Sequence, residues 1–352
     1  MKLKIGLAHQ NLEWIEEIKH ALTRAYPCEV IWLAPNKEIL LERCQEEQPD
    51  ILLLDLEIDD DNPGFLIQMI MNTFPCAILL LARNIKSNAS LVFEALGYGA
   101  MDSIDVSLLH LGQDKVNIQP IIKKIKEFAH WMGKKNSFEP KPPPPSKPEP
   151  PSKPARPWKN LPPLLLIGAS TGGPLAIAHI LSQLPVHLGL AIIIVQHIDE
   201  RFAPQLAKWL ESQCPFSVRQ IRNGDQPKKG EVLIAGTNHH LILNSNLELV
   251  YTEDPKHNVY RPSIDVFFNS MANFWPIQSM AVLLTGIGND GAQGLKNLKN
   301  KGWYTLAQNE ESSVVFGMPK AAIELKGVSA VLSIEEIAPA IVNYASKLPL
   351  IG

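Results

Sequence analysis

The sequence predicts an α/β protein made of two doubly wound parallel-sheet domains. Short apolar runs alternate with helix-like stretches on both sides of a proline-rich segment, and this alternation is typical of parallel sheets covered by helices. The chain of 352 residues is also too long for one ordinary domain and suits two. We predict a first domain over residues 1–135, a linker over 136–160 and a second domain over 161–352.

Five apolar runs predict the parallel strands of the first domain. These runs are Leu3–Leu7, Val30–Leu33, Ile51–Leu54, Ile78–Leu81 and a weaker one near Ser103–Ile104. Helical patterns separate the runs, for instance over Leu12–Ala25 and Ile121–Met132. The alternation of about five strands with helices favours a doubly wound sheet.

The predicted linker is rich in proline. Twelve of the 29 prolines fall between Pro140 and Pro163. Proline lacks a backbone N–H and fixes φ, so this segment neither continues a helix nor joins a sheet. We predict an extended, semi-rigid spacer, with a docking site for a proline-binding module as the alternative.

The second domain repeats the α/β pattern. Its predicted strands are Leu164–Ile167, Ala191–Val195, Glu231–Ile234, Ala281–Leu284 and Trp303–Ala307. In open sheets of this kind, ligands bind beyond the carboxyl ends of the strands. We therefore expect the chemistry of the second domain at the residues that follow these runs.

Composition and charge argue against several classes of function. The net charge of −3 and the pI near 6.4 give no basic surface for a nucleic-acid partner. Apolar runs such as Leu188–Val195 are far shorter than the roughly 20 residues of a membrane helix, and the N-terminus does not fit a secretory signal. Four scattered cysteines, Cys28, Cys44, Cys76 and Cys214, indicate buried free thiols in a reducing compartment. We predict a cytoplasmic protein without direct membrane insertion.

Metal-binding motifs are absent from the sequence. H-E-x-x-H does not occur, and the adjacent His239 and His240 would face opposite sides of a strand. An acidic run, Asp59, Asp60 and Asp61, follows a predicted strand of the first domain, and we interpret it as a solvated loop. We therefore expect neither a metal nor another cofactor.

A lone serine stands at the end of the first strand of the second domain. "GASTG" satisfies the G-x-S-x-G pattern of a nucleophile elbow, with a strand before it and the apolar helix Leu175–Leu184 after it. Such a turn exposes the Ser170 hydroxyl, and the N–H groups at the helix start, including that of Thr171, point to where an oxyanion forms. A phosphate-binding turn and a purely structural turn remain alternatives at this stage.

A nucleophilic serine needs a base and an orienting acid, and two later strand ends supply candidates. His197 follows the apolar run of "LAIIIVQHIDE", and Asp290 lies in the glycine-rich loop of "AVLLTGIGNDGAQG". If the three strands are parallel, Ser170, His197 and Asp290 converge at one edge of the sheet. The order Ser, His, Asp differs from that of α/β-hydrolases, so that fold is not implied.

Several long motifs of the second domain resemble the CheB family of chemotaxis protein-glutamate methylesterases. The matching stretches are "IGASTGG", "VQHI", "RPSIDVFF", "LLTGIGNDGAQGL" and "LAQNEESSVVFGMPKAAIE". The resemblance implies a doubly wound catalytic domain with Ser170 as nucleophile, His197 as base and Asp290 as orienter. It also implies an oxyanion hole that includes the backbone at Thr171 and Ile287, although Ile287 stands where the family usually has Met.

The resemblance also implies a substrate and partners. The substrate would be a methylated glutamate on the cytoplasmic helices of a chemoreceptor, hydrolysed with release of methanol. Deamidation of receptor glutamines would be a second activity, and a chemotaxis histidine kinase a second partner. The loop "IAGTNHHL" departs mildly from the family's "IAPGDKHM"-like pattern.

The first domain resembles a response-regulator receiver, of the flavodoxin type, that has lost part of its site. Asp55 stands at the phosphoacceptor position, but Ala8 and His9 replace the acid pair that binds Mg²⁺. The fourth strand lacks the expected hydroxyl, and Val106 stands near the place of the expected lysine. Because phosphoryl transfer depends on positioning and charge neutralisation, we expect a degenerate receiver that ordinary phosphorylation does not switch.

Two other functions compete with the esterase. In one, the degenerate receiver holds the enzyme shut and the chain acts as a regulatory binding protein of a chemosensory pathway. In the other, "GASTGG" belongs to a nucleotide-binding oxidoreductase. The second is disfavoured because no acidic ribose-binding residue ends a strand about 20 residues later.

Overall fold

The computed structural model describes residues 2–59, 63–83, 88–112, 116–131, 161–256, 258 and 260–348. Contacts between Cα atoms divide the chain into two units, Met1–Asn136 and Ser137–Gly352. The predicted proline-rich linker, 136–160, lies outside the described residues. No helix in the described part of the chain is long and apolar enough to cross a membrane.

The N-terminal unit is a five-stranded parallel sheet with helices between the strands. Its elements are β1 (Leu3–Ala8), α1 (Leu12–Ala25), β2 (Cys28–Ala34), α2 (Lys37–Glu46), β3 (Ile51–Asp55), α3 (Pro63–Thr73), β4 (Ala77–Ala82), α4 (Ala89–Gly97), β5 (Asp102–Asp105) and α5 (Gln119–Trp131). The strand order is β2-β1-β3-β4-β5, which is the flavodoxin order. In this order the direction in which successive strands are added to the sheet reverses between β1 and β3, so the residues that follow these two strands face one crevice.

The five predicted strands of this unit all form, each extended by one to three residues at its ends. The runs were readable because β3 and β4 are buried along their whole length, as expected for parallel strands covered on both faces. Helix α1 has the predicted bounds, and its N-cap Asn11 accepts hydrogen bonds from the backbone N–H groups of Glu13 and Trp14. The doubly wound fold predicted for this unit is confirmed.

The C-terminal unit is built on a seven-stranded parallel sheet. Its elements are β6 (Leu164–Ala169), α6 (Gly173–Gln183), β7 (Ala191–Gln196), α7 (Ala203–Gln213), β8 (Val218–Gln220), β9 (Val232–Ile234), β10 (His240–Leu243), β11 (Leu249–Thr252), α8 (Ile264–Phe274), β12 (Met280–Leu283), α9 (Ala292–Asn300), β13 (Tyr304–Gln308), α10 (Met318–Glu324), β14 (Ala330–Leu332) and α11 (Ile334–Ala345). The strand order is β14-β13-β12-β6-β7-β9-β8, and β10 and β11 form a separate antiparallel hairpin.

The parallel sheet of the second unit is confirmed, but the sequence indicated neither two of the strands of this sheet, β8 and β14, nor the two strands of the separate hairpin. Strands β8 and β14 have three residues each and lie at the two edges of the sheet, where a short or partly polar strand suffices. The hairpin strands β10 and β11 have four residues each, too few for a clear alternation. The five predicted strands form the inner part of the sheet, with β12, β6 and β7 side by side.

Helices α8 and α9 approach each other closely beside the central strands. Phe267 and Phe268 of α8 are fully buried. A Cβ atom added to Gly294 of α9 would lie only 2.6 Å from the Cβ of Phe268, so this position has no room for a side chain. The contact sets the N-terminus of α8 against that of α9, directly after the loop that carries Asp290.

All four cysteines are free, as predicted. Cys28 and Cys44 are buried, whereas Cys76 and Cys214 are half-buried, so burial of all four was an overestimate. Within the described residues no group of three or more His, Cys, Asp or Glu side chains has an arrangement that could hold a metal ion.

Candidate functional site

Three neighbouring parallel strands end where the candidate residues stand. Ser170 directly follows β6 and His197 directly follows β7, and the last residues of these two strands, Ala169 and Gln196, are paired in register. The His197 N–H donates to the carbonyl of Ala169 at 2.9 Å. Asp290 lies in the loop after β12, the other neighbour of β6. The predicted convergence of the three residues at one sheet edge therefore has its structural basis in the strand order.

The backbone around Ser170 is held from several sides. Its N–H donates to the carbonyl of Thr285 at 3.0 Å, and its own carbonyl accepts from the N–H of Gly173 at 2.8 Å. Gly172 turns the chain into α6 with a left-handed φ of 78°. A Cβ atom at Gly286 would come within 2.6 Å of the Ser170 Cβ, so the loop after β12 approaches the serine as only glycine permits. The turn thus has the strand–turn–helix context of a nucleophile elbow.

Gln196, to which sequence analysis gave no role, links the serine and histidine loops. Its Nε2 donates to the carbonyl of Ser170 at 2.8 Å and to that of His197 at 3.1 Å. A Cβ atom at Gly173 would stand 2.1 Å from Gln196 Oε1, so the second glycine of "TGG" makes room for this amide. The only signal in the sequence is the position of Gln196 as the last residue of an otherwise apolar strand.

The imidazole of His197 is fixed at one nitrogen and along one face. Nε2 lies 2.8 Å from Asp290 Oδ2. The ring stacks on Tyr260 with a centroid distance of 4.6 Å and an interplanar angle of 3°. Nδ1 is buried and has no hydrogen-bond partner among the described residues. The nitrogen available for proton transfer is therefore Nδ1, since Nε2 faces the carboxylate.

Asp290 is buried at the N-terminus of α8. Its Oδ1 accepts from Ser263 Oγ at 2.8 Å and from the Asp265 N–H at 3.1 Å, and its Oδ2 accepts from the Ile264 N–H at 2.6 Å. Burial alone would raise the pKa of Asp290, but the bond from His197 and these donors hold that pKa below its ordinary value. The motif "RPSID" therefore supplies the groups that keep the carboxylate ionised.

A second carboxyl group, Asp265, lies beside Asp290 and behaves in the opposite way. Burial and the charge of Asp290 raise the pKa of Asp265 to about 7, although the N–H of Gly294 donates to its Oδ1 at 2.6 Å. Two neighbouring carboxyl groups with pKa values driven apart are a common arrangement in active sites. Asp265 belongs to the motif "RPSIDVFF", in which nothing marks it for this role.

The two backbone positions predicted for an oxyanion hole lie on loops that are tied together. Thr171 follows the serine, and its carbonyl accepts from Thr285 Oγ1 at 2.9 Å. Ile287 follows Gly286, whose N–H donates to Val315 at 3.0 Å and whose carbonyl accepts from Met318 N–H at 3.0 Å. The segment that contains Val315 and Met318 thus holds the loop of Gly286 and Ile287 in place through these two hydrogen bonds.

The two adjacent histidines separate as predicted, and the buried one supports the site. His239 is exposed, whereas His240 in β10 is fully buried. His240 Nδ1 accepts from the N–H of Ser263 at 3.1 Å, and Nε2 lies 3.2 Å from the Pro255 carbonyl. Burial lowers the pKa of His240, which favours the neutral imidazole that these two contacts require. His240 therefore holds the backbone of Ser263, the serine whose hydroxyl binds Asp290.

The corresponding crevice of the N-terminal unit contains His9 and Asp55, both buried. His9 Nδ1 accepts from the Asn11 N–H at 2.9 Å and lies 3.5 Å from Asp55 Oδ2. Burial and the nearby Arg83 lower the pKa of His9 to about 4. The ring is thus neutral at neutral pH with its proton on Nε2, and its contact with Asp55 is not an ion pair.

Aromatic and cationic side chains lie over this crevice. The ring centroids of His9 and Trp14 are 5.4 Å apart, and the Arg83 guanidinium lies 4.5 Å from the Trp14 ring centre.

The interpretation of the acidic run as a solvated loop was wrong for Asp59, which is buried and bound to Lys37 Nζ at 2.7 Å. Asp60 and Asp61 lie outside the described residues.

Comparisons with known proteins agree with the geometry of the second unit. A family model described as CheB methylesterase matches residues 165–341. The Thermotoga maritima CheB methylesterase catalytic domain, a crystal structure, is 32% identical and covers 53% of this chain and 100% of its own, with a TM-score of 0.50.

Two relatives match over nearly the whole chain. The protein-glutamate methylesterase/protein-glutamine glutaminase 3 of Pseudomonas aeruginosa is 38% identical over 338 residues, 96% of this chain and 98% of its own length. The protein-glutamate methylesterase/protein-glutamine glutaminase 2 of Cupriavidus metallidurans is 38% identical over 340 residues, 97% of this chain and 98% of its own length. The family predicted from the sequence motifs is confirmed: this chain belongs to the CheB methylesterase family.

Proposed function

We propose that the C-terminal unit hydrolyses glutamate methyl esters on the cytoplasmic helices of chemoreceptors and releases methanol. Deamidation of receptor glutamines, with ammonia leaving, is the same acyl-transfer chemistry. Family membership and the names of the Pseudomonas and Cupriavidus relatives support this reaction. The observation that carries the proposal is the 2.8 Å hydrogen bond between His197 Nε2 and Asp290 Oδ2, at the sheet edge where Ser170 also stands.

The proposed mechanism is acyl transfer through Ser170. His197 Nδ1 takes the proton of the Ser170 hydroxyl while Oγ attacks the ester carbonyl. The N–H groups of Thr171 and Ile287 donate to the oxyanion of the tetrahedral intermediate. The intermediate collapses as His197 returns the proton to the departing methoxide, which leaves as methanol. Water then attacks the acyl-enzyme by the same route, and glutamate and free Ser170 are formed. These steps need no cofactor.

The carboxylate of Asp290 makes His197 a better base in this scheme. Its negative charge stabilises the imidazolium that forms when Ser170 loses its proton, and its bond to Nε2 fixes the tautomer with a free Nδ1. The neighbouring Asp265 carries a proton up to about pH 7, because burial and the charge of Asp290 raise its pKa. Under mildly acidic conditions Asp265 therefore adds no second full negative charge beside Asp290.

The proposed partners follow from the substrate. They are the methylated cytoplasmic helices of a chemoreceptor and, as a second partner, a chemotaxis histidine kinase. The proposal puts the enzyme in the cytoplasm, where these receptor helices lie. In this proposal the receiver-like unit spans 1–135 and the catalytic unit spans 161–352, and the proline-rich linker of 136–160 joins them.

For the N-terminal unit we propose that Asp55 does not act as a phosphoacceptor. Neutral His9 stands where a carboxylate would bind Mg²⁺, and its Nδ1 already accepts from Asn11. Among the described residues no group of three or more His, Cys, Asp or Glu side chains could hold a metal ion here, whereas Mg²⁺ prefers six oxygen ligands. In this proposal the unit acts instead as a constitutive cover, as a docking module, or as a unit that is regulated in another way.

Replacement of Ser170 by alanine tests the nucleophile. We expect Ser170→Ala in the full chain to lower methanol release from methylated receptor fragments by at least about a thousandfold, because no attacking oxygen remains. The matched control is Ser182→Ala, which removes an exposed hydroxyl from the same helix region and should retain the rate. Equal rates for both variants would contradict the assignment. Absence of release from the wild-type chain would favour the regulatory binding protein.

The raised pKa of Asp265 predicts a pH-dependent stability. Between about pH 4, where an unfolded aspartate ionises, and about pH 7, the folded protein holds a proton that the unfolded chain has lost. This contribution to stability is fully present below pH 4 and is lost as the pH rises through 7. The Asp265→Asn variant lacks this pH-dependent contribution, because an amide does not ionise. The unfolding free energy of Asp265→Asn should therefore rise relative to wild type across this window, by up to about 1.4 kcal/mol per pH unit.

Denaturant unfolding at several pH values measures this difference. Glu324→Gln, which neutralises an exposed carboxylate of the same unit, serves as the control and should show no comparable trend. A pH-independent difference between Asp265→Asn and wild type would show that Asp265 ionises normally.

Treatment of the full chain with Mg²⁺ and a small phosphodonor tests the proposal for Asp55. We expect mass spectrometry to find no phosphoryl group on Asp55, because the described residues provide no site for the cation that would neutralise the transferred group. A competent receiver treated in parallel is the positive control. Stable, Mg²⁺-dependent labelling of Asp55 would overturn the proposal.

A further inference from the structure

Tyr260 contacts both His197, the proposed base, and the loop that carries its partner Asp290. Its ring lies flat on the imidazole of His197, with centroids 4.6 Å apart and planes 3° from parallel. Its hydroxyl lies over Gly288, where an added Cβ would stand 2.5 Å from the phenol oxygen. Gly288 belongs to the loop that carries Asp290. A single half-buried side chain therefore contacts both the histidine and the loop of its carboxylate partner.

The hydrogen bonds of His197 explain why such a residue is needed. The bond from Nε2 to Asp290 fixes one ring atom, but one hydrogen bond leaves the ring free to turn about it. The opposite nitrogen, Nδ1, has no hydrogen-bond partner among the described residues that would fix the plane. A parallel aromatic face supplies this second restraint, because tilting the imidazole would break the stack.

We infer that Tyr260 is a positioning residue that holds the plane of His197 and so directs Nδ1 toward the serine. The inference rests on the proposed function, since it concerns the base of that reaction. A phenol ring also favours the protonated imidazole that forms during the attack, because its negative π-face attracts a cation. The hydroxyl is not required for either effect.

The experiment compares Tyr260→Leu with Tyr260→Phe in the full chain. We expect Tyr260→Leu to lower kcat for methanol release by roughly 5- to 10-fold, the size of a lost aromatic pair, with KM within about twofold of wild type. Tyr260→Phe keeps the stack and should retain most of kcat. The rate at which a fluorophosphonate labels Ser170 should fall in parallel, because that reaction uses the same base.

A matched control separates positioning from general loss of packing. Tyr344 stacks on Tyr304 at 4.4 Å and 9°, on β13 and α11 of the same unit. We expect Tyr344→Leu to lower the thermal unfolding temperature but to leave kcat and labelling unchanged. If Tyr260→Leu also leaves both rates unchanged, or if Tyr260→Phe loses as much as Tyr260→Leu, the inference is wrong.

The two readouts distinguish failure of this inference from failure of the proposed function. A wild-type chain that is labelled at Ser170 but releases no methanol overturns the proposed substrate, and the labelling rates of the variants still decide the role of Tyr260. A wild-type chain that is not labelled overturns the base and, with it, its positioning residue.

Discussion

The second unit depends on the hydrogen bonds that the buried carboxylate of Asp290 accepts at the N-terminus of α8. A buried charge is costly unless it is fully hydrogen-bonded, and Asp290 accepts from one hydroxyl, two backbone N–H groups and an imidazole. The positive end of the helix adds to this stabilisation. Since the donors come from "RPSID" and from the strand end of β7, the contact joins α8, the loop after β12 and the central sheet. The same contact orients His197, so the fold and the proposed chemistry share one constraint.

Close backbone approach is the second theme of the site. Gly173, Gly286 and Gly294 each stand where an added Cβ would collide with a neighbour: the amide of Gln196, the Cβ of Ser170 and the Cβ of Phe268. These contacts bring three strand ends and two helix N-termini within hydrogen-bonding distance. The N-terminal unit has a similar crevice, but neutral His9 and the overlying Trp14 occupy it. The carboxylate of the second unit therefore faces an imidazole that can take up a proton, whereas Asp55 of the first unit lies beside an imidazole that stays neutral.

Much of this arrangement was predictable because buried parallel strands leave a clear pattern in the sequence. Buried strands read as apolar runs, and residues that follow such runs must meet at one edge, which is how Ser170, His197 and Asp290 could be selected. What the sequence could not supply are contacts between distant positions. Tyr260 and His240 act through neighbours 63 and 23 residues away in the chain, and no local pattern marks them. Asp59 was misread for the same reason, since its partner Lys37 lies 22 residues earlier.

If the N-cap of α8 both stabilises the second unit and orients the proposed base, one pair of variants separates the two effects. Ser263→Ala removes an N-cap that also binds Asp290, whereas Ser333→Ala removes the N-cap of α11, whose capping box lies within its own helix. Unfolding free energy and kcat for methanol release are measured for both. We expect each variant to lose about 1 kcal/mol of stability but only Ser263→Ala to lose kcat. If both variants lose equal stability and both keep the wild-type kcat, the N-cap of α8 has no part in the reaction.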